Sequence, residues 1–212
     1  MQIVAFSHYS RTGKDSTANY LLGRLRSAGV RAEKRSFAYK LKQITHDLYG
    51  WAGLREPEFY ETEEGAKQRD EPLAIGKTPV EVWVAVGNLL RDHVHPATWI
   101  DYVVKSTDGL DVCLISDCRY ENEAEAIKAA GGKIVKVVRP HYGPRQTVAD
   151  RALMGWPGFD YVIGSSGKLE ELEHWATLFS TGLLTGLWPT QTLEEKLAAL
   201  KVESISPSPF DH

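Results

Sequence analysis

The first seventeen residues constrain the fold of this chain more than any other stretch. An apolar run, Gln2-Ile3-Val4-Ala5-Phe6, meets a polar, turn-prone loop, Ser7-His8-Tyr9-Ser10-Arg11-Thr12-Gly13. Lys14-Asp15-Ser16-Thr17 then opens a segment with Ala18, Leu21, Leu22 and Leu25 at helical spacing. Strand, loop, Gly-Lys, helix is the layout of a phosphate-cradling P-loop. Backbone N–H groups at a helix N-terminus face an anion, the helix dipole favours negative charge, and a lysine neutralises phosphate oxygens. The match to G-x-x-x-x-G-K-S/T departs at two positions. His8 stands where the first glycine belongs, so the backbone there is expected to avoid a glycine-only conformation. Asp15 stands where the metal-binding hydroxyl belongs. The competing reading of these residues alone is an ordinary strand–turn–helix with a solvated lysine.

Composition narrows the class. The 212 residues are 42% hydrophobic and 25% charged, enough for one α/β domain with a substantial core. A formal net charge of −3 argues against broad binding of nucleic acid or an anionic membrane, though not against a local basic pocket. No apolar run approaches the roughly eighteen residues of a membrane span, and no signal peptide is read at the N-terminus. Cys113 and Cys118 read as buried thiols rather than a disulfide or a four-ligand zinc site. These features fit a reducing cytoplasm.

Strands and helices alternate along the chain. Val30 to Phe37 reads as a second strand and Tyr39 to Tyr49 as a helix with Leu41, Ile44 and Leu48 on one face. Residues 51–77, charged and punctuated by Gly and Pro, read as a loop or mobile insertion. Thr78-Pro79 starts a helix whose expected inner face holds Val80, Trp83, Gly87, Leu90 and Val94. Pro96 starts another through Trp99, Tyr102 and Val103. Val112 to Ser116 is a buried strand with Asp117 at its carboxyl end, Glu121 to Ala130 a helix closed by Gly131-Gly132, and Lys133 to Val138 a strand. Residues 139–158, rich in Arg, Gly and Pro, suggest a surface loop or lid. Tyr161-Val162-Ile163 is a last short strand, followed by helices over Lys168–Phe179 and about Leu193–Leu200 and a Ser/Pro-rich end. Alternating βα units imply a mostly parallel sheet flanked by helices, with ligands at the carboxyl ends of the strands.

Lys14 is the strongest candidate for chemistry, contacting the β and γ phosphates of a nucleotide. Asp15 suits magnesium and equally suits the helix dipole. Ser10, Arg11, Thr12, Gly13 and Ser16 complete the expected phosphate loop. Leu114-Ile115-Ser116-Asp117-Cys118-Arg119 is an apolar strand ending in Asp, the Walker B layout that sets a carboxylate near the metal. Arg119 follows with the planar fork that suits phosphate. The alternative is an Asp that caps the next helix beside a surface Arg. Arg139, His141, Arg145 and Arg151 populate the expected lid, where positive charge could close over a transferring group. Lys40, Lys42 and Arg91 are further cations on helices, and the histidines show no metal-like spacing.

Taken together, these residues resemble the phage-type deoxynucleoside monophosphate kinases of the P-loop superfamily. Gly13-Lys14-Asp15-Ser16-Thr17-Ala18 is similar to that family's G-K-D-S/T-T-A, and Phe37-Ala38 with Leu41-Lys42 to its F-A-x-x-L-K. Asp117-Cys118-Arg119-Tyr120-Glu121-Asn122-Glu123-Ala124-Glu125 is similar to its D-x-R-F/Y-x-N-E-A-E, the most specific match. Gly131-Gly132, Val137-Val138-Arg139-Pro140, Asp160 to Ile163 and Leu169 to Leu172 follow its order. The resemblance covers about residues 1–179. It implies a P-loop kinase domain over 1–185, with a monophosphate-binding region at about 38–105, a lid at about 139–158, and a C-terminal helix and tail over 186–212. It implies ATP and Mg2+ and transfer of the γ-phosphate to a deoxynucleoside monophosphate, in the cytoplasm, or the host cytoplasm for a phage-encoded chain. Small-molecule substrates are the implied partners, with neither nucleic acid nor membrane; a homodimer is compatible with it. By position, Lys14, Asp117 and Arg119 carry over to catalysis, Asp15 to the metal, and Ser10 to Ser16 with Arg139 to ATP. Phe37, Ala38, Lys42, Arg91, Trp99, Arg119, Arg145 and Asp150 carry over to the acceptor. Residues 147–150 follow the lid's S-E only loosely. A phosphomevalonate- or dephospho-coenzyme-A-kinase-like enzyme, or a nucleotide-binding protein without turnover, remains as an alternative.

Overall fold

The computed structural model describes residues 1–9, 12–105, 109–140, 142–143, 148–164 and 168–203. Five strands form one parallel sheet: β1 (Gln2–Ser7), β2 (Ala32–Arg35), β3 (Val112–Cys118), β4 (Lys133–Val138) and β5 (Tyr161–Gly164). Their order is β2-β3-β1-β4-β5, an α/β architecture of the P-loop kinase type. β1 lies between β3 and β4, so both of its edges are paired and Ile3 to Ser7 are buried. This is why its sequence is a continuous apolar run rather than an alternation.

Parallel neighbours need crossover connections. α1 (Lys14–Ser27) follows β1, α6 (Glu121–Ala129) follows β3, and α8 (Leu169–Thr185) follows β5. Val4 and Phe6 meet Leu21 and Leu25 of α1 and Phe179 and Leu183 of α8 in the main core, joined by Leu114, Val135 and Ile163 of the flanking strands. The apolar face read for α1 is the buried one, except that Leu22 is only half-buried. α8 runs six residues past the expected end, to Thr185, and stops where Gly186 takes a φ of 74°. α9 (Leu193–Glu203) packs on β5 and β4.

The chain divides into two compact units, Met1–Arg35 with Thr107–His212, and Ser36–Ser106. The first holds the sheet. The second is built from α2 (Phe37–Tyr49), α3 (Glu63–Gln68), α4 (Pro79–His93) and α5 (Thr98–Lys105). The expected second strand is shortened because Ser36 is its last extended residue and Phe37 already opens α2. Thr78 caps α4 with Pro79 in its first turn, as the sequence predicts, and Glu81 completes a reciprocal capping box that the sequence reading does not mark. The expected inner face of α4 is corrected. Pro79, Val82 and Gly87 are buried while Val80 and Val94 face solvent.

Residues 51–77 are not an irregular insertion. Turns of 3-10 helix at Gly50–Ala52 and Phe59–Glu61 flank a fold-back that ends in α3. Leu54 and Tyr60 are almost wholly buried there and form a second core with Val82, Phe59, Leu73, Trp83 and Val86. Single turns give no 3.6- or 2-residue period, so the apolar positions are silent to a periodicity reading. Thr62 Oγ1 caps α3 by accepting from Gly65 N at 3.0 Å. A Cβ on Gly65 would sit 2.0 Å from the Phe59 carbonyl oxygen, so only glycine lets this helix close on the preceding turn.

The C-terminal segment covers the open edge of β5. The Gln191 amide accepts from Val162 N at 2.8 Å and donates to Val162 O at 2.6 Å, as a neighbouring strand would. Tyr161 Oη also donates to Pro189 O at 3.0 Å. Replacing Gln191 by Leu leaves both Val162 groups without these partners. The expected cost is about 1–3 kcal/mol, a fall in Tm of roughly 2–10 °C for a chain of this size, read by thermal denaturation. An unchanged Tm overturns this role.

Candidate active site

The loop after β1 is built around one carbonyl. Lys14 Nζ donates to Tyr9 O, and Thr12 Oγ1 donates to the same oxygen at 3.1 Å. Gly13 precedes α1 with a φ of 99°, the left-handed region that favours glycine. Thr17 N and Oγ1 both bond Gly13 O, each at 2.9 Å, which fixes the first turn. His8 overturns the expectation drawn for it: its φ is 109°, in the positive region where a glycine would be at ease. The ring is buried and stacks on Tyr9 with centroids 3.5 Å apart and planes 30° apart. Packing thus holds a non-glycine residue where a glycine otherwise serves.

Lys14 is 5% exposed. Burial, reinforced by the Arg119 charge, lowers its pKa from 10.5 to about 8, while Asp15, Asp150 and Asp117 pull it back up. These charges come from three separate segments of the chain, all of which act on this ammonium. β1 and β3 run parallel with Ser7 level with Cys118, so the loop after one strand and the Asp117-Cys118-Arg119 end of the other emerge at the same end of the sheet. The side chain of Asp150, 1% exposed, receives Arg119 Nη1 at 2.5 Å. Asp150 sits in α7 (Val148–Arg151), a single turn. Glu123 accepts from Arg119 N at 2.7 Å and Tyr120 N at 3.1 Å, capping α6 and fixing the backbone that carries Arg119. The capping pattern three residues after Tyr120 is the sequence signal for this role, and the motif reading passes over it.

The remaining predicted residues fall as follows. Asp15 lies in the first turn of α1, with its side chain 69% exposed and 3.3 Å from Lys34 Nζ of β2. No local pattern in the sequence announces Lys34 as its partner. Ser16 is exposed on the same turn. The Arg139 guanidinium rests 4.7 Å from the centre of the Tyr142 ring. Ser10, Arg11, His141 and Arg145 lie outside the described residues. The other acceptor-side candidates belong to the second unit. Phe37 is buried and Ala38 half-buried at the start of α2. Lys42 Nζ sits 2.8 Å from Glu61 Oε1 and 5.2 Å from the centre of the Trp83 ring. Arg91 Nη1 is 3.5 Å from Asn88 Oδ1. Trp99 is buried, with Nε1 donating to Gly87 O at 3.2 Å, so its indole braces α4.

The donor set fits a nucleotide polyphosphate. A buried ammonium beside a helix N-terminus, with a second cation nearby, gains from an anion that offsets its desolvation. It also fits Mg2+, which takes one or two carboxylates together with substrate phosphate oxygens. Asp15 and Asp117 both lie within electrostatic reach of Lys14. Among the described residues no group of three or more His, Cys, Asp or Glu forms a metal cluster, and no helix is long and apolar enough to cross a membrane.

No family model matches the chain. It is 29% identical over 177 residues to a protein of Acanthamoeba polyphaga mimivirus, covering 76% of this chain and 86% of that one. The viral protein is named, provisionally, a deoxynucleotide monophosphate kinase. It is also 34% identical over 73 residues to the deoxynucleotide monophosphate kinase of Enterobacteria phage T4, 34% of this chain and 30% of that one. The resemblance read from the motifs is therefore also a resemblance in overall sequence.

The Lys14 environment makes a signed prediction. The folded pKa lies below the unfolded one, so between about 8 and 10.5 the unfolded chain binds more protons and stability rises with pH. Below about 8 the full penalty, about 3 kcal/mol, is present. Lys14→Met should therefore stabilise the ligand-free protein at pH 7, and the difference in Tm should close as the pH rises from 8 to 10.5. A gap that is constant with pH, or a destabilised mutant, overturns this assignment.

Proposed function

We propose that this relative of viral deoxynucleotide monophosphate kinases transfers the γ-phosphate of ATP to a deoxynucleoside monophosphate with Mg2+. The observation that carries the reading is the buried, pKa-lowered Lys14, set behind a positive-φ Gly13 at a helix N-terminus and ringed by Arg119, Asp15, Asp150 and Asp117.

Phosphoryl transfer needs positioning and charge stabilisation more than covalent chemistry. The backbone of the loop and the N-terminus of α1 cradle the β and γ phosphates. Lys14 leaves the Tyr9 carbonyl for phosphate oxygens, and Thr12 still satisfies that carbonyl. Arg119, held by Asp150 at its guanidinium and by Glu123 at its backbone, meets the charge that develops on the transferring group. Asp15 and Asp117 are the carboxylates suited to hold Mg2+, which screens the phosphate charges when bound. Arg139 contacts ATP. Lys42 and Arg91 hold the acceptor's phosphate, whose negative charge calls for cations that a neutral sugar would not need. The acceptor oxygen is already ionised, so a strong general base is unnecessary, in keeping with a sequence that offers no nucleophile–base pair.

ADP release with ATP and each of the common deoxynucleoside and nucleoside monophosphates, phosphomevalonate and dephospho-coenzyme A tests the reading. Turnover with a deoxynucleoside monophosphate is expected. Turnover only with phosphomevalonate or dephospho-coenzyme A, or with none of these acceptors, overturns it. Lys14→Ala should lower kcat by about a hundredfold or more, the loss of roughly 3 kcal/mol of transition-state stabilisation. Arg119→Ala should lower kcat, whereas Lys42→Ala and Arg91→Ala should raise the KM of the monophosphate and leave that of ATP nearly unchanged. An Arg91→Ala defect confined to the KM of ATP would move this residue to the other substrate.

A further inference from the structure

One departure from the phosphate-loop motif has no part in the chemistry above: His8, where the first glycine belongs. Unfavourable features gather at this point of the chain. The pairing of β1 with β3 shifts register between Ala5 and Ser7. Ser7 Oγ is buried without a hydrogen-bond partner among the described residues. His8 then takes a φ of 109°, which a non-glycine residue keeps only where its surroundings hold it there. Glycine would adopt that φ without strain, so the histidine brings a cost that the usual residue avoids. Outliers of this kind cluster where backbone strain serves a site.

What the imidazole gains is a contact with Tyr9. Both residues are buried, and their rings stack with centroids 3.5 Å apart. Tyr9 supplies the carbonyl around which the loop is built, since Lys14 Nζ and Thr12 Oγ1 both donate to it. The path from the imidazole to the ammonium is short: ring on ring, then carbonyl to Nζ. Glycine has more backbone freedom than any other residue and loses the most when it is ordered. A histidine at positive φ has few backbone states, and stacking on a buried ring selects among them. The two ends of the loop thus differ. Gly13, with its φ of 99°, is glycine at the end that meets α1, whereas a side chain stiffens the entry. A loop restricted in this way has less freedom to lose when a polyphosphate binds, and the difference appears as affinity.

We propose that His8 is a positioning residue of the phosphate loop: through its stack on Tyr9 it sets the carbonyl that holds Lys14 and Thr12, and so shapes the loop for a polyphosphate before one arrives. The proposal rests on the kinase reading above and deepens its ATP site. His8 acts by shape and stacking, with no proton transferred and no charge required. Its effect falls on the phosphates of ATP and not on the acceptor.

The test is calorimetric titration of the full-length chain with ATP and Mg2+ and with tripolyphosphate and Mg2+, alongside steady-state kinetics and thermal denaturation. His8→Gly and His8→Asn both accept a positive φ and lack the aromatic ring. Each should weaken ATP and tripolyphosphate alike by roughly tenfold, and raise the KM of ATP while leaving that of the monophosphate nearly unchanged. His8→Phe keeps a flat ring without the imidazole nitrogens and should restore most of the affinity. Tyr9→Ala should weaken binding similarly, and adding His8→Gly to it should cost little more, because the two residues act in series. Wild-type affinity in both His8→Gly and His8→Asn, with only the Tm altered, makes His8 a structural filler and overturns the proposal while the kinase reading stands. A His8→Phe variant as weak as His8→Gly overturns the stack, and additive losses overturn the route through Tyr9. A wild-type chain that binds neither ATP nor tripolyphosphate overturns the kinase reading itself. Should His8→Gly fail to fold, His8→Asn and His8→Phe decide the question.

Discussion

The parallel pairing of β1 with β3 is the constraint on which the candidate site depends. Strands in such a sheet lie about 4.8 Å apart and end on the same side. With Ser7 level with Cys118, the loop that begins at His8 and the Asp117-Arg119 end of β3 emerge together. A register shift of one residue would turn every side chain of β3 to the opposite face. The alternation then decides which strand-end groups meet Lys14. Hydrophobic burial fixes this register, because Val4 and Phe6 must face α1 and α8 while Leu114 faces the same core.

Onto that frame the protein places an arrangement that works against its own stability. An ammonium is buried, a neighbouring guanidinium makes its charge still less favourable, and His8 is held at a positive φ. The surrounding carboxylates offset part of this. Asp150 is buried against Arg119, and Glu123 spends its carboxylate on two backbone N–H groups rather than on a ligand. Arg119, held at its guanidinium by Asp150 and at its backbone by Glu123, does not have to reorganise when a phosphate arrives. This is the physical link between the strained loop and the phosphoryl transfer proposed for it.

The second unit reaches its polar geometry by a different route. Among the described residues it has no strand, and its core is small, centred on Leu54, Tyr60 and Val82. Caps and close approaches take the place of a ladder: Thr62 on α3, the Thr78–Glu81 box on α4, Gly65 against Phe59, and the Trp99 indole on Gly87. In this unit Lys42 Nζ meets Glu61 Oε1 at 2.8 Å, although the two come from parts of the chain with no common period.

The sequence by itself determined the strand–loop–helix at the N-terminus, the β3–α6 unit with Asp117-Cys118-Arg119 at the carboxyl end of its strand, and the alternation that requires a parallel sheet. These are encoded locally, in apolar runs, helical spacing and capping residues. The positions of most helices and strands were legible for the same reason, and the ends of β2 and α8 were misjudged because their limits depend on what they pack against. Only the tertiary structure decided that residues 51–77 fold into a core, since single turns leave no periodic trace. It alone decided that His8 tolerates a positive φ, through the stack on Tyr9, and that Asp150 turns to Arg119 and Asp15 to Lys34. An ion pair between distant segments is a matter of distance in space, and spacing along a chain carries that information only where a regular element spans the gap.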